Sequence, residues 1–157
     1  NAVYNQANMV LVVLDNSTTA MTGHQPHPGT GRTVMGEIVQ KINIEQVLRG
    51  IGVTEIETIN PLELEASVSC VKRMAEKSGV RAIIFKAPCI AVTKPKAPLH
   101  VDQDSCIGCK KCIRDLGCPA IVMNDGKICI DASMCTGCHL CSQVCPVCAI
   151  AGGDDYE

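Results

Sequence analysis

An α/β domain with a parallel sheet, followed by a small module that folds around metal, is the fold class this sequence predicts. Three observations carry that expectation. Over residues 1–90, continuous apolar runs ("NMVLVVLD", "RAIIFKAP") alternate with amphipathic stretches, as parallel strands buried on both faces alternate with their crossover helices. Twelve cysteines stand among 157 residues, eight of them in two regularly spaced strings. Between these regions "AVTKPKAPLHV" is rich in Pro and Lys and reads as a linker. The expected division is 1–90, a linker over 91–101, and 102–157. It suits a chain long enough for one ordinary domain and one that needs metal or cross-links to hold together.

Taken in order, "NAVYNQAN" reads as the last turns of a helix feeding the first strand and, without an initiator Met, as part of a longer polypeptide. "NMVLVVLD" is the first strand. Residues 16–31 then hold no large aliphatic side chain except Met21, so a loop is expected at the carboxyl end of that strand, where such sheets bind ligands. "NIEQVLRGIG" is a helix with Asn43 as its cap and Gly50 or Gly52 as its stop, and "VTEIETI" is a strand. In "NPLELEASVSCVKRMAEKSG" Asn60 is placed to cap, Pro61 to open the helix, Glu63 to complete a capping box and Gly79 to end it. Leu64, Val68, Val71 and Ala75 share its apolar face. "RAIIFKAP" closes the series as a short buried strand.

Net charge is −2. Residues 1–99 carry ten Lys/Arg against eight Asp/Glu, and the remainder four against eight, so neither part has the basic stripe of a nucleic-acid binder. With no Trp, one Phe and two Tyr, stacking platforms are nearly absent too. No apolar run reaches the roughly 18 residues that span a bilayer, and no membrane segment is expected.

The cysteine strings are Cys106, Cys109, Cys112 and Cys118, followed by Pro119, and Cys135, Cys138, Cys141 and Cys145, followed by Pro146. The second is C-x2-C-x2-C-x3-C-P without deviation. "VDQDSCIGCKKC" and "IDASMCTGCHLC" align without a gap, Cys106 falling on Cys135 and Gly108 on Gly137, which means two equivalent metal sites. Three thiolates spaced by two residues wrap three corners of a cubane, the turn's amide hydrogens aim at its sulfurs, and the fourth corner comes from the other copy. Disulfides would need an oxidising compartment, and zinc favours pairs of C-x2-C.

This module resembles the bacterial two-cluster ferredoxins. The resemblance implies one 4Fe-4S cluster on Cys106, Cys109, Cys112 and Cys145 and another on Cys135, Cys138, Cys141 and Cys118. One departure stands out: "IRDLG" puts five residues between Cys112 and Cys118 where the bacterial pattern has three. Cys70, Cys89, Cys129 and Cys148 read as small packed side chains.

In the loop after the first strand, the Asn16 side-chain carbonyl and the Thr18 backbone carbonyl are hard oxygens of the kind Mg²⁺ takes beside phosphates and water. "LDNSTTAMTGHQPHPGTG", together with "CIRDLGCPAI" and its five-residue gap, resembles the alpha subunits of indolepyruvate ferredoxin oxidoreductases over essentially the whole chain. The resemblance implies a thiamine diphosphate-binding domain, of which this is the C-terminal part, with Asn16 and Thr18 on Mg²⁺ and Met21 and Gly23 near the cofactor. A further Asp ligand, from an upstream G-D-G or G-D-S segment, is expected ahead of Asn1. Met21 and His24 stand where pyruvate enzymes of this kind carry a polar residue and a glycine, which points away from pyruvate.

His24 is the candidate acid–base residue, since imidazole titrates near neutrality and Gly23 adjoins the cofactor in the family. His27 ranks lower. Read as a metal-binding H-x-x-H, the pair is disfavoured because Pro26 and Pro28 prevent the helix that presents one. The activity implied is oxidative decarboxylation of a 2-oxoacid, an arylpyruvate such as indolepyruvate, to an acyl-CoA, with electrons leaving through the two clusters to ferredoxin. A beta subunit partner and a cytoplasmic location follow, with no nucleic acid and no membrane, and this part of the enzyme alone is expected to be inactive. The alternatives are a stand-alone 4Fe-4S electron-transfer protein with a non-catalytic upstream domain, and a non-redox thiamine decarboxylase with structural clusters.

Overall fold

The computed structural model describes residues 1–152. It divides into two compact units, Asn1–Thr93 and a second that begins at Lys94.

In the first unit, β1 (Met9–Asp15), α1 (Ile44–Gly50), β2 (Glu55–Ile59), α2 (Leu64–Glu76) and β3 (Val80–Lys86) follow one another. The strands form one parallel sheet in the order β1-β3-β2, each reached from the last through a helix, as parallel pairing requires. β3 is central, and Arg81, Ala82, Ile83 and Ile84 on it are all buried. Alternate side chains face opposite layers. Ala82 and Ile84 pack with Leu48 and Val53 on the α1 side, and Ile83 packs with Cys70 and Met74 of α2 on the other.

The burial of Arg81 is fully compensated: Nε donates to the Met74 carbonyl at 2.9 Å, and Nη1 donates to Asn8 Oδ1 and the Gly79 carbonyl. A buried guanidinium is tolerated when its donors are used in this way. The arrangement ties the end of α2 to the approaches of β1 and β3.

Two expectations are corrected here. β1 is a strand, but in the three-stranded sheet that the described residues form it lies at one edge, with Val12 48% and Leu14 76% exposed. α2 begins later than its capping signals suggest. Asn60 Oδ1 accepts from the Leu62 N–H at 3.0 Å and the Asn60 carbonyl accepts from the Glu63 N–H, so Asn60 and Pro61 build a turn, and Glu63 stands at the cap without a side-chain capping bond. Proline suits the second position of a turn as well as the first of a helix.

The helix is also rotated relative to the expected face. Ser67, Cys70 and Met74 are buried, whereas Val68 and Val71 are 44% and 45% exposed. The small Ser67 and Cys70 let the helix approach the sheet, and Met74 fills the remaining space. Met74→Ala is expected to cost about 2–5 kcal/mol in chemical denaturation, and Val68→Ala or Val71→Ala about 1 kcal/mol or less. The reverse order would mean that the valine stripe faces the sheet. By contrast α1 starts where expected, with Asn43 Oδ1 accepting from the Gln46 N–H at 3.1 Å.

The second unit contains β4 (Leu99–Val101), α3 (Lys111–Leu116), β5 (Ile121–Asn124), β6 (Lys127–Ile130), α4 (Leu140–Val144) and β7 (Ile150–Gly152). β4 thus occupies the end of the stretch expected as linker, and residues 153–157 of the expected second domain lie outside the described residues. β4 pairs with β7 and β5 with β6, both antiparallel. The β5–β6 hairpin turns on Asp125 and Gly126, both at positive φ (47° and 77°), the signature of a tight two-residue turn.

The repeat seen in the sequence organises the whole unit. α3 opens at Lys111 and α4 at Leu140, β5 at Ile121 and β7 at Ile150, each pair in the register that sets Cys106 on Cys135. Before each cysteine string an aspartate builds the same turn. Asp102 accepts from the Asp104 N–H and the Ser105 hydroxyl, Asp131 from the Ser133 N–H and hydroxyl, and the Cys106 and Cys135 N–H groups each donate to that aspartate's carbonyl at 3.0 Å.

The five-residue gap finds its account here. α3 has six residues against five in α4, and Gly117 ends it at φ 58°, so the additional residues lengthen and cap the helix before Cys118. In the second copy the difference is returned after the proline: Val147 and Cys148 (φ 51°) separate Pro146 from Ala149, whereas Ala120 follows Pro119 directly.

Candidate functional site

The loop at the carboxyl end of β1 is anchored on β3: the Ala87 N–H donates to the Asp15 carbonyl at 3.1 Å and the Cys89 N–H to the Asn16 carbonyl at 3.0 Å. Asn16 Oδ1 accepts from the Thr18 N–H at 3.2 Å, a turn that fixes the carboxamide and leaves a second lone pair on its oxygen. Ser17 between them sits at φ 61°. Beyond Thr18, Thr19 and Gln25 bridge in antiparallel fashion, closing a small hairpin turned on Gly23 (φ 107°) and His24 (φ 62°). Asn16 and Thr18 are half-buried, while Met21, Gly23 and His24 are exposed on the hairpin.

Asn16 lines a cleft with Asp15, Pro61, Ser67 and Phe85 at the carboxyl ends of β1 and β3. A second cleft, on the α1 side, is lined by Asp15, His27, Lys41, Asn43, Thr58 and Lys86 among others. His27 is thus in a cleft wall, and its Nδ1 accepts from the Gly29 N–H at 3.1 Å. A Cβ on Gly29 would come within 2.9 Å of the His27 ring, so glycine permits that contact. The structure holds the His27 ring by this hydrogen bond, whereas His24 is exposed on the hairpin. Lys86, opposite Asp15 in register and 3.8 Å from it, was not singled out in the sequence. Its signal was a cation at the carboxyl end of an apolar strand.

In the second unit, Cys106, Cys109, Cys112 and Cys145 line one cavity, walled by Val101, Ile107, Ile128 and Ile150. Burial pushes the Cys112 thiol up, and Cys109 and Cys145 add to the rise. Burial likewise pushes Cys141 up to about 11, with further contributions from Cys138, Cys135 and Cys118. Cys145 thus lies within electrostatic reach of Cys112, and Cys118 within reach of Cys141.

Backbone donors reach the sulfurs as well. The Ala149 N–H points to Cys145 Sγ at 3.2 Å and the Leu99 N–H to Cys135 Sγ at 3.5 Å. Such donors favour a thiolate bound to an anionic cluster. Among the described residues no three His, Cys, Asp or Glu side chains close on a single-ion position; thiols at the corners of a cluster stand farther apart than ligands of one ion. The donor set fits two 4Fe-4S clusters. Of the remaining cysteines, Cys70 is buried in the core, where desolvation and then Glu57 raise its thiol. Cys89 and Cys129 are half-buried, and Cys148 is exposed, so the packed reading does not hold for Cys148.

A parallel α/β unit with an oxygen-rich loop at its strand ends, followed by a unit carrying the two cysteine strings, defines a cofactor-binding domain joined to an iron–sulfur module. The chain belongs to the thiamine pyrophosphate enzymes: residues 1–85 match their C-terminal TPP binding domain, and residues 99–146 match the 4Fe-4S dicluster domain. It is 45% identical over 152 residues to the indolepyruvate oxidoreductase subunit IorA of Methanothermobacter thermautotrophicus, covering 96% of this chain and 25% of that protein. The corresponding subunit of Archaeoglobus fulgidus is 40% identical over 156 residues, with 96% and 25% covered. That of Thermococcus kodakarensis is 41% identical over 163 residues, with 93% and 24% covered. The chain thus spans about a quarter of the length of these curated relatives. No solved structure matches it.

Proposed function

We propose that these residues are part of a 2-oxoacid ferredoxin oxidoreductase that acts on an arylpyruvate, with indolepyruvate as the leading substrate, and yields an acyl-CoA. The observation that carries this reading is the joining, in one chain, of a TPP-binding domain to a module whose eight cysteines are grouped for two clusters. Thiamine diphosphate, when bound, supplies the electron sink for loss of CO₂. Asn16 Oδ1 and the Thr18 carbonyl would hold its Mg²⁺, with the turn between them setting their spacing. Met21 and Gly23 contact the cofactor, and His24, one residue on, holds or moves a proton at the substrate. The eight cysteines would hold, as thiolates, two 4Fe-4S clusters, which would supply one-electron transfer toward ferredoxin.

The relatives are indolepyruvate oxidoreductase subunits by name, which supports indolepyruvate, and a beta subunit completes the assembly. A cytoplasmic location belongs to the same proposal; among the described residues no helix is long and apolar enough to cross a membrane. The test is anaerobic mixing of the complete enzyme with indolepyruvate and coenzyme A. Bleaching of the cluster absorbance, with acyl-CoA formed, is the expected result. Clusters that dithionite reduces but no 2-oxoacid does would instead identify an electron carrier with a non-catalytic upstream domain.

A further inference from the structure

The two cluster-binding loops are equivalent in sequence but not in surroundings. Ile107, Gly108, Cys109, Lys110 and Lys111 are all exposed, whereas their counterparts in the second copy, Thr136 to Leu140, are all half-buried or buried. The cause is local. A Cβ on Gly137 would lie 2.6 Å from Lys96 Cβ and 2.7 Å from the Ala97 carbonyl, while one on Gly108 would meet nothing within 4 Å. The segment leading into β4, through Lys96 and Ala97, therefore covers the second loop and leaves the first open.

Charge follows the same division. Residues 100–157 carry four Lys/Arg against eight Asp/Glu, yet three of those four cations, Lys110, Lys111 and Arg114, cluster beside Cys109 and Cys112. The matching positions of the second copy are His139, Leu140 and Gln143. Lys110, Lys111 and Arg114 are exposed, and none forms an ion pair with a described residue. Asp115 is the one acidic neighbour in α3. In an otherwise acidic module, a local group of exposed cations beside the exposed Cys109 is suited to an acidic partner.

We propose that the cluster on Cys106, Cys109, Cys112 and Cys145 is the exit cluster, and that Ile107, Gly108, Cys109, Lys110, Lys111 and Arg114 form the docking surface for an acidic, ferredoxin-like electron carrier. The proposal deepens the functional reading above and rests on it. In each encounter one electron passes from the reduced cluster to the partner's oxidised centre without bond making or proton transfer, so two encounters clear the two electrons released per 2-oxoacid. Apolar Ile107, 65% exposed and lining the same cavity as Cys109 and Cys112, supplies apolar contact on this surface.

The experiment uses the complete enzyme under anaerobic steady-state conditions, with indolepyruvate and coenzyme A saturating and either an acidic two-cluster ferredoxin or benzyl viologen as acceptor. The double variant Lys110→Glu/Lys111→Glu is expected to raise the KM for ferredoxin about tenfold or more and to flatten the fall of the ferredoxin rate with salt, with the viologen rate retained. Gln143→Glu, at the exposed second-copy counterpart of Arg114, should leave the ferredoxin KM unchanged. An unaltered KM and salt slope in the double variant would overturn the docking surface, as would an equal KM rise in Gln143→Glu. A viologen rate that falls in step with the ferredoxin rate would also overturn it, since the lysines would then act on the cluster itself. If the unaltered enzyme fails to reduce viologen with any 2-oxoacid, the underlying functional reading fails, and reduction of ferredoxin from dithionite-reduced protein still decides the docking surface.

Discussion

Exchanging Cys118 for alanine is expected to remove or convert the cluster bound by Cys135, Cys138 and Cys141 and to leave the one bound by Cys106, Cys109 and Cys112, although Cys118 follows the latter string in the chain. Cys145→Ala is expected to do the opposite. The basis is spatial: Cys145 lines the cavity of Cys106, Cys109 and Cys112, and Cys118 is among the thiols that raise Cys141. A cluster left with three thiolates loses a corner ligand, and an iron with it, so total iron should drop from about eight toward about four to seven per chain, depending on whether the cluster is lost or converted. EPR of the reduced protein distinguishes the two clusters. The crossed arrangement is refuted if each variant damages the cluster of its own string. The Cys148→Ala variant serves as a control, because this exposed cysteine belongs to neither quartet, and both clusters should remain.

What was legible in the sequence was whatever a short local pattern determines. Asn43 caps α1 through one hydrogen bond to a residue three positions on, and such a bond needs nothing from elsewhere. The cysteine spacing is equally local, and the internal repeat displayed the pairing of the two copies before any strand was placed. The central position of β3 and the edge position of β1 were not legible, because strand order depends on which neighbours compete for the middle. Nor was the buried face of α2. Its two apolar stripes lie a fraction of a turn apart, and the choice fell to the one whose small residues, Ser67 and Cys70, admit a close approach to Ile83.

Within the loop, hard-oxygen chemistry and the family resemblance brought out Asn16 and Thr18, and the structure joins them in one turn. The ranking of the histidines was harder. Gly23 drew attention to His24, whereas the contact that fixes His27 depends on Gly29 and on the chain folding back beside Lys41. Likewise, the five-residue gap was visible as an irregularity, but its return after Pro146 required seeing that Ala120 and Ala149, not Ala120 and Val147, occupy matching places ahead of β5 and β7.

Asn16→Ala carries the other large expected effect. In the full-length enzyme it should weaken binding of thiamine diphosphate with Mg²⁺ by roughly 10–100-fold or more, the scale on which even outer-shell partners of a metal act, while iron content stays unchanged because the cysteines lie in a separate unit. The substitution removes both a hard-oxygen ligand and the acceptor for the Thr18 N–H, and the two losses need separating. Asp15→Ala provides the comparison: it deletes the neighbouring turn, in which Asp15 Oδ1 accepts from the Ser17 N–H at 3.0 Å, but keeps the Asn16 carboxamide. If ligation is what Asn16 contributes, calorimetric titration should show a much smaller loss in Asp15→Ala than in Asn16→Ala. Equal losses would assign the effect to the loop's conformation. Wild-type affinity in Asn16→Ala would take Asn16 out of the ligand set and leave Mg²⁺ to be held by other oxygens.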